Sequence, residues 1–68
     1  MDQTQIEAVI RKSVGSLTTV TFGGHTETVL VVSVDPDGFI CRLLSVDQKA
    51  SETEFWLAYS EVSGVTTP

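Results

Sequence analysis

Cysteine is scarce in this chain: Cys41 is the one cysteine among 68 residues, so no disulfide can form within a single copy. A structural zinc site needs about four ligands, mostly Cys or His, and the chain offers only Cys41 and His25. A chain of this size buries only about 60% of the surface that its unfolded form exposes. Since neither a disulfide nor zinc can add stability, we expect tight packing or self-association to supply it, with no metal and no cofactor.

Basic residues are also few. Four Lys and Arg stand against nine Asp and Glu, which gives a net charge of -5. Only Arg11 and Lys12 are adjacent, so the sequence contains no polybasic patch. A surface of this sign repels phosphate on average, which disfavours nucleic acid as a partner.

Long hydrophobic runs are missing as well. The longest aliphatic run is residues 29 to 32, and Met1 is followed by an acidic residue. A secretory signal core or a membrane span needs a longer run. We therefore expect a cytoplasmic protein with no membrane partner.

The first part of the chain predicts one amphipathic helix over residues 2–14. Ile6, Val9, Ile10 and Val14 recur at helical spacing. Asp2 with Gln5 fits a capping box, and Thr4 with Glu7 is an alternative. Gly15 is expected to close the helix.

From Leu17 onward the hydrophobic period changes from helical spacing to two, and threonine, valine and aromatic residues dominate. Strands are predicted at residues 18–22, 26–35, 39–46, 54–58 and 62–67. Residues 23 and 24, both glycine, permit a tight hairpin. In the second strand Thr28, Leu30, Val32 and Val34 are expected on one face, with Val29, Val31 and Ser33 on the other. The third strand places Phe39, Cys41 and Leu43 on one side and Ile40, Leu44 and Val46 on the other.

The predicted fold is mainly β: a single domain with an N-terminal helix followed by a strongly bent, five-stranded antiparallel sheet. A sheet this small must curl or pair to protect its edges. An SH3-like or Sm-like small barrel meets that requirement. Residues 47–53, DQKASET, are predicted to be an exposed loop.

The segment DPDG at residues 35–38 was tested as a calcium loop. An EF-hand loop that began at Asp35 would need ligands where Phe39 and Val46 stand. Asp, Pro and Gly instead occupy favoured positions of a type I turn. We therefore interpret the segment as a turn.

No catalytic constellation is predicted, and we expect that the protein is not an enzyme. A histidine can activate a cysteine, but Cys41 lies in an apolar strand and His25 in a glycine turn. No third orienting group accompanies them.

Residues 20–35, VTFGGHTETVLVVSVD, resemble the first signature of the Sm-like (Sm/Hfq-type) family: an apolar pair, a turn glycine, a bent strand and an aspartate. Residues 59–68, YSEVSGVTTP, resemble the second signature. The family's strand glycine corresponds to Thr28 here, and its RNA-holding residues after the third loop and in the second signature are replaced. The resemblance implies candidate ligand-binding residues at Asp35, Asp37, Phe39 and Tyr59, of which only Asp35 matches the family residue.

In that family the fourth strand of one subunit pairs with the fifth strand of the next and closes a ring. The resemblance therefore implies a cyclic homo-oligomer with weak or no RNA binding. The candidate interface residues are Phe55, Trp56, Leu57, Val62 and Val65. The face that holds Trp56 and Ala58 lies under the helix, or meets a partner, or remains exposed. A rival interpretation is a monomeric SH3-like adaptor that binds a peptide or protein through Trp56, Tyr59 and an acidic rim.

Overall fold

The structure, a computed structural model, describes residues 2–44 and 50–66. Within these ranges one helix precedes five strands, which form a single antiparallel sheet. The elements in chain order are α1 Gln3–Lys12, β1 Leu17–Phe22, β2 His25–Val34, β3 Gly38–Leu44, β4 Ala50–Ala58, a 3₁₀ helix at Tyr59–Glu61 and β5 Val62–Thr66. The mainly β fold with an N-terminal helix is confirmed.

Helix α1 begins at the predicted capping box. The Asp2 carboxylate accepts a hydrogen bond from the Gln5 N–H at 2.9 Å, and the Asp2 N–H donates to Gln5 Oε1 at 3.1 Å. The helix ends at Lys12, two residues before the prediction, because Ser13 caps it: the Ser13 hydroxyl donates to the Val9 carbonyl. Its buried side chains are Ile6 and Ile10, whereas Val14 lies beyond the helix and is exposed, so placing Val14 in the buried stripe was wrong.

Gly15 does not cap the helix directly but turns the chain into the sheet. Its φ of +82° lies in the left-handed region, which favours glycine. The Gly15 N–H donates to the Val31 carbonyl at 2.8 Å. The turn thereby fixes the start of β1 beside β2.

The strand order is β4-β3-β2-β1-β5. In the described residues β4 and β5 are therefore the two outer strands and do not pair with each other. The sheet is not a closed barrel, and this corrects the expectation of a barrel. The chain passes from β4 to β5 through the 3₁₀ helix at Tyr59–Glu61, and β5 then pairs with β1.

One face of the sheet, called here the core face, carries the hydrophobic core, and α1 packs over its β5 side. The fully buried side chains of this face come from all three inner strands: Thr18, Val20, Val29, Val31, Phe39 and Cys41. The opposite face, called here the outer face, has no helix across it among the described residues. Trp56 lies on the outer face, because it pairs with Ile40 while its neighbours Phe55 and Leu57 pair with the core residues Cys41 and Phe39.

Strand β2 does not alternate as predicted. A bulge between Val31 and Ser33 shifts the register, so that Val31 pairs with Cys41 and Val34 with Phe39. Val34 consequently packs against the core with Val29 and Val31 instead of facing away with Leu30. The predicted face of Val34 was wrong, because the hydrophobic pattern does not reveal an inserted residue.

The boundaries of the third and fourth strands also differ from the prediction. Strand β4 starts at Ala50, where Leu44 pairs with it, so residues 50–53 belong to a strand and not to the predicted loop. The pairing of β3 with β4 shifts its register between Arg42 and Leu44. Val46 and the rest of residues 45–49 lie outside the described residues.

Candidate functional site

The turn that joins β2 to β3 brings together the four candidate ligand-binding residues. The Asp35 N–H donates to the Gly38 carbonyl at 2.7 Å and closes the turn. Tyr59 completes it from the 3₁₀ helix: its N–H donates to the Asp37 carbonyl at 3.0 Å, and its hydroxyl donates to the Asp35 carbonyl at 3.1 Å. The prediction of a turn at residues 35–38 is confirmed.

The two aromatic candidates of this group face inward. The rings of Phe39 and Tyr59 stack with centroids 5.8 Å apart, and both side chains are fully buried. Burial raises the pKa of the Tyr59 phenol, and the nearby Glu7 carboxylate adds to this effect. Phe39 and Tyr59 therefore hold the turn in place and offer no surface on which a base could stack. Of the four candidate residues, Asp35 and Asp37 are exposed, together with Pro36 between them.

The described residues contain no cluster of three or more Asp, Glu, His or Cys side chains that could hold a metal ion. They also enclose no ligand-sized pocket. Any contact made by the Asp35 turn would therefore be a surface contact through two carboxylates.

The Cys41 thiol is fully buried, and desolvation raises its pKa to about 11. At neutral pH it is therefore protonated and a poor nucleophile. His25 is exposed in the β1–β2 hairpin, where its Nδ1 lies 3.3 Å from the Gly23 carbonyl oxygen. The contacts of His25 within the described residues are with Gly23, Glu27 and Phe22, and none of them joins it to Cys41.

The open edge of β4 has a defined hydrogen-bonding phase. In an antiparallel ladder, hydrogen-bonded pairs alternate with pairs whose N–H and C=O groups point away. The bond from the Tyr59 N–H to the Asp37 carbonyl continues the β3–β4 register and marks the hydrogen-bonded phase. Leu57 and Phe55 share that phase with Tyr59, so their backbone groups bond to β3. The backbone N–H and C=O groups of Trp56 and Ala58 therefore point away from β3, in the plane of the sheet and toward its open edge.

Burial separates the predicted interface residues into two groups. Leu57, Val62 and Val65 are buried in the core, and Phe55 packs against it. These four side chains therefore stabilise the fold of the single chain. Trp56 is the one member of this set that is largely exposed, with 48% of its surface accessible. Ala58, which the sequence reasoning did not select, contributes an outward backbone.

Trp56 is held on the outer face by a glycine. A Cβ built on Gly38 would lie 2.6 Å from Trp56 Cε2 and would also collide with the Leu57 carbonyl oxygen. The indole thus lies directly over the Gly38 backbone. Trp56 pairs with Ile40, and Gly38 is its diagonal neighbour on the same strand as Ile40. The sequence pattern assigned Gly38 to a turn and gave no signal for this second role.

Searches against protein-family models, curated proteins and solved structures find no match to this chain. The one helix in the described part of the chain is too short and too polar to span a lipid bilayer. The geometry of the turn and of the two sheet edges is therefore what any functional conclusion must be built on.

Proposed function

We propose that the chain is a non-enzymatic assembly module of the Sm-like type, which forms a cyclic homo-oligomer through the edges of its sheet. The observation that carries this proposal is the strand order, which leaves β4 and β5 at opposite edges of one antiparallel sheet. An unpaired strand edge is a template for another strand. A chain with two different open edges can join head to tail.

Head-to-tail contacts between identical copies close into a ring when the rotation at each junction adds up to a full turn. The outward backbone groups of Trp56 and Ala58 supply donors and acceptors on the β4 side. Strand β5 supplies an edge of five residues, Val62–Thr66. Both edges lie directly beside the hydrophobic core, so their positions are fixed before assembly.

Weak or absent RNA binding is part of the proposal. The net charge of -5 opposes phosphate. Phe39 and Tyr59, the two aromatic side chains of the candidate ligand site, are buried against each other. The exposed atoms of that site are carboxylates, which also repel phosphate.

Light scattering coupled to gel filtration tests the assembly. We expect a discrete oligomer at micromolar concentration, and a strict monomer would overturn the proposal. The sharpest variant is Ala58→Pro. The φ of Ala58 is -74°, which proline adopts without strain, and its N–H points out of the sheet. The variant should fold normally but lose one donor of the junction and shift to monomer.

Ala58→Ser is the matched control, because it changes the side chain and keeps the backbone N–H. It should assemble like the unmodified chain. If Ala58→Pro and Ala58→Ser both assemble normally, the β4 edge is not the junction. Circular dichroism of each variant checks that the sheet is intact.

The rival function, a monomeric SH3-like adaptor for a peptide or protein, is favoured only if the unmodified chain is monomeric. Of its predicted contact residues, Trp56 is exposed and Tyr59 is buried. In that case a basic peptide should shift the Trp56 indole resonance on titration. An oligomer that ignores such peptides favours the assembly module.

A further inference from the structure

Trp56 lies at the open edge of β4 with about half of its side chain uncovered. One side of the indole rests on Gly38 of the neighbouring inner strand, and 48% of the residue remains accessible. Large aromatic side chains with this exposure beside a backbone edge are typical anchors of interfaces. The question is which surface covers the rest of the indole.

The second outer strand has an unoccupied position on the same outer face. Gly64 pairs with Thr21, whose flanking residue Val20 faces the core, so Gly64 and Thr21 lie on the outer face. A Cβ built on Gly64 would find its nearest atoms, Cβ and Oγ1 of Thr21, at 4.0 Å. The backbone of Gly64 does not have a positive φ. Nothing within the described chain therefore requires glycine at this position.

Glycine in a strand weakens it, and often marks a place where another backbone or a ligand approaches closely. Gly38 shows this rule inside the chain, because Trp56 fills the space above it. Gly64 offers the same kind of space at the opposite edge, with no side chain of the described residues to fill it.

Charge selects which edge meets β4. Glu54 lies on the outer face of β4, two residues from Trp56, and pairs with Arg42 at 2.7 Å. Strand β5, VSGVT, carries no charge. A β5 edge brings no further charge toward the Arg42–Glu54 ion pair, whereas a second β4 edge would bring another Glu54 beside it. Helix α1 covers the core face of each copy. When two copies join with their core faces on the same side, their outer faces form one continuous surface.

We propose that Trp56 anchors the junction between copies: the exposed part of its indole is covered by β5 of a second copy, over the partner's Gly64. This inference rests on the assembly proposed above and assigns the side-chain contact that gives the junction its register. In the assembly each Trp56 would then lie between two glycine backbones: Gly38 of its own chain and the partner's Gly64.

The test uses Gly64→Val, which fills the space above the strand. Because the nearest atoms in the chain are 4.0 Å from the new Cβ, the single chain should fold unchanged. Assembly should weaken by about tenfold or more, as overpacking of a close contact typically does. Ser63→Val places the same side chain at the exposed neighbouring residue and should have little effect on assembly. It also removes the hydrogen bond from the Ser63 hydroxyl to the Thr21 carbonyl, so unfolding of the monomer measures that loss separately.

Two further measurements separate a Trp56 contact from general damage to β5. Trp56 is the one tryptophan of the chain, so its emission should shift to longer wavelength on dilution as the junction opens. In a Trp56→Ala background, Gly64→Val should weaken assembly much less than in the unmodified chain.

The outcomes distinguish this inference from the assembly itself. A monomeric unmodified chain removes both. An oligomer that Ala58→Pro dissociates, with Trp56 emission unchanged on dilution and Gly64→Val still assembled, keeps the β4 edge as the junction and overturns the role of Trp56. Equal effects of Gly64→Val with and without Trp56 also overturn it.

Discussion

The core face and the outer face of this sheet are built from the same strands, yet they differ in what covers them. The core face is shielded by α1, and its central side chains are fully buried: Val20, Val29, Val31, Phe39 and Cys41. The outer face has no such cover in the described residues and is itself divided. Over β1 and β2 it carries two cross-strand threonine pairs, Thr19 with Thr28 and Thr21 with Thr26, and at the start of β1 the pair of Leu17 with Leu30. Over β3 and β4 it carries Ile40 and Trp56.

This division is informative because threonine suits a solvated strand surface, whereas tryptophan does not. The hydroxyls of Thr21 and Thr26 lie 3.0 Å apart and need no further partner. Trp56 is the most exposed large apolar side chain of the outer face, and it lies at the β4 edge. One helix covers one face of this small sheet, and the exposed indole lies where a neighbouring chain can reach it.

The largest expected effect comes from comparing the two faces directly. Phe39→Ala removes a fully buried ring stacked on Tyr59, and should lower the free energy of unfolding by about 3–5 kcal/mol. Trp56→Ala removes a side chain that is about half exposed, so its cost to the monomer should be about 1–2 kcal/mol. Urea unfolding at a concentration where light scattering shows only monomer measures both.

An equal loss in the two variants would mean that the outer face is packed as tightly as the core, and the contrast between the faces would disappear. Because Phe39→Ala can prevent folding altogether, Phe39→Leu serves as the milder version. It should still cost more than Trp56→Leu under the same conditions.

A second, smaller effect tests how Trp56 is held. Gly38→Ala places a methyl group 2.6 Å from the Trp56 indole and against the Leu57 carbonyl. The indole and the strand must both shift, which should cost about 1–3 kcal/mol. Combining it with Trp56→Ala should recover only part of the loss, since the clash with the Leu57 backbone remains. Unfolding of the two single variants and the double variant measures this coupling.

Fully additive losses would contradict the contact between Trp56 and Gly38. Gly64→Ala is the control for glycine removal, because its Cβ would make only ordinary van der Waals contact with Thr21, at 4.0 Å. It should leave the stability of the monomer unchanged or slightly raised.

The helix, the five strands and the turn at residues 35–38 could be predicted from the sequence, because each depends on local signals. The Asp2 capping box is a contact between near neighbours in sequence. The change of hydrophobic period at Leu17 is a pattern that a short stretch of sequence reveals. The β2 bulge, the early start of β4 at Ala50 and the open sheet were not predicted, since they depend on register between distant strands. Alternation alone cannot count an inserted residue.

The candidate site shows the same limit. Family resemblance named Asp35, Asp37, Phe39 and Tyr59 as candidate ligand-binding residues, and the structure brings them together at one turn. The sequence could not show that the two rings point inward, because burial depends on which face of each strand is covered. It named Ala58 beside Trp56 but could not show the direction of the Ala58 backbone, and it missed Gly64, whose role depends on the space above the strand.

The smallest effect concerns pH and again separates the buried face from the rest. Burial raises the pKa of Cys41 from 9.0 to about 11, so the unfolded chain releases the thiol proton at lower pH than the folded chain. The stability due to this shift is fully present below pH 9 and is lost as pH rises toward 11. Tyr59 has a raised pKa and acts in the same direction, so the experiment uses a Tyr59→Phe background. There, unfolding free energy should fall more steeply from pH 9 to 11 with Cys41 present than with Cys41→Ala. Parallel pH profiles would mean that the thiol ionises as readily in the folded chain as in the unfolded one, and that the core face admits water.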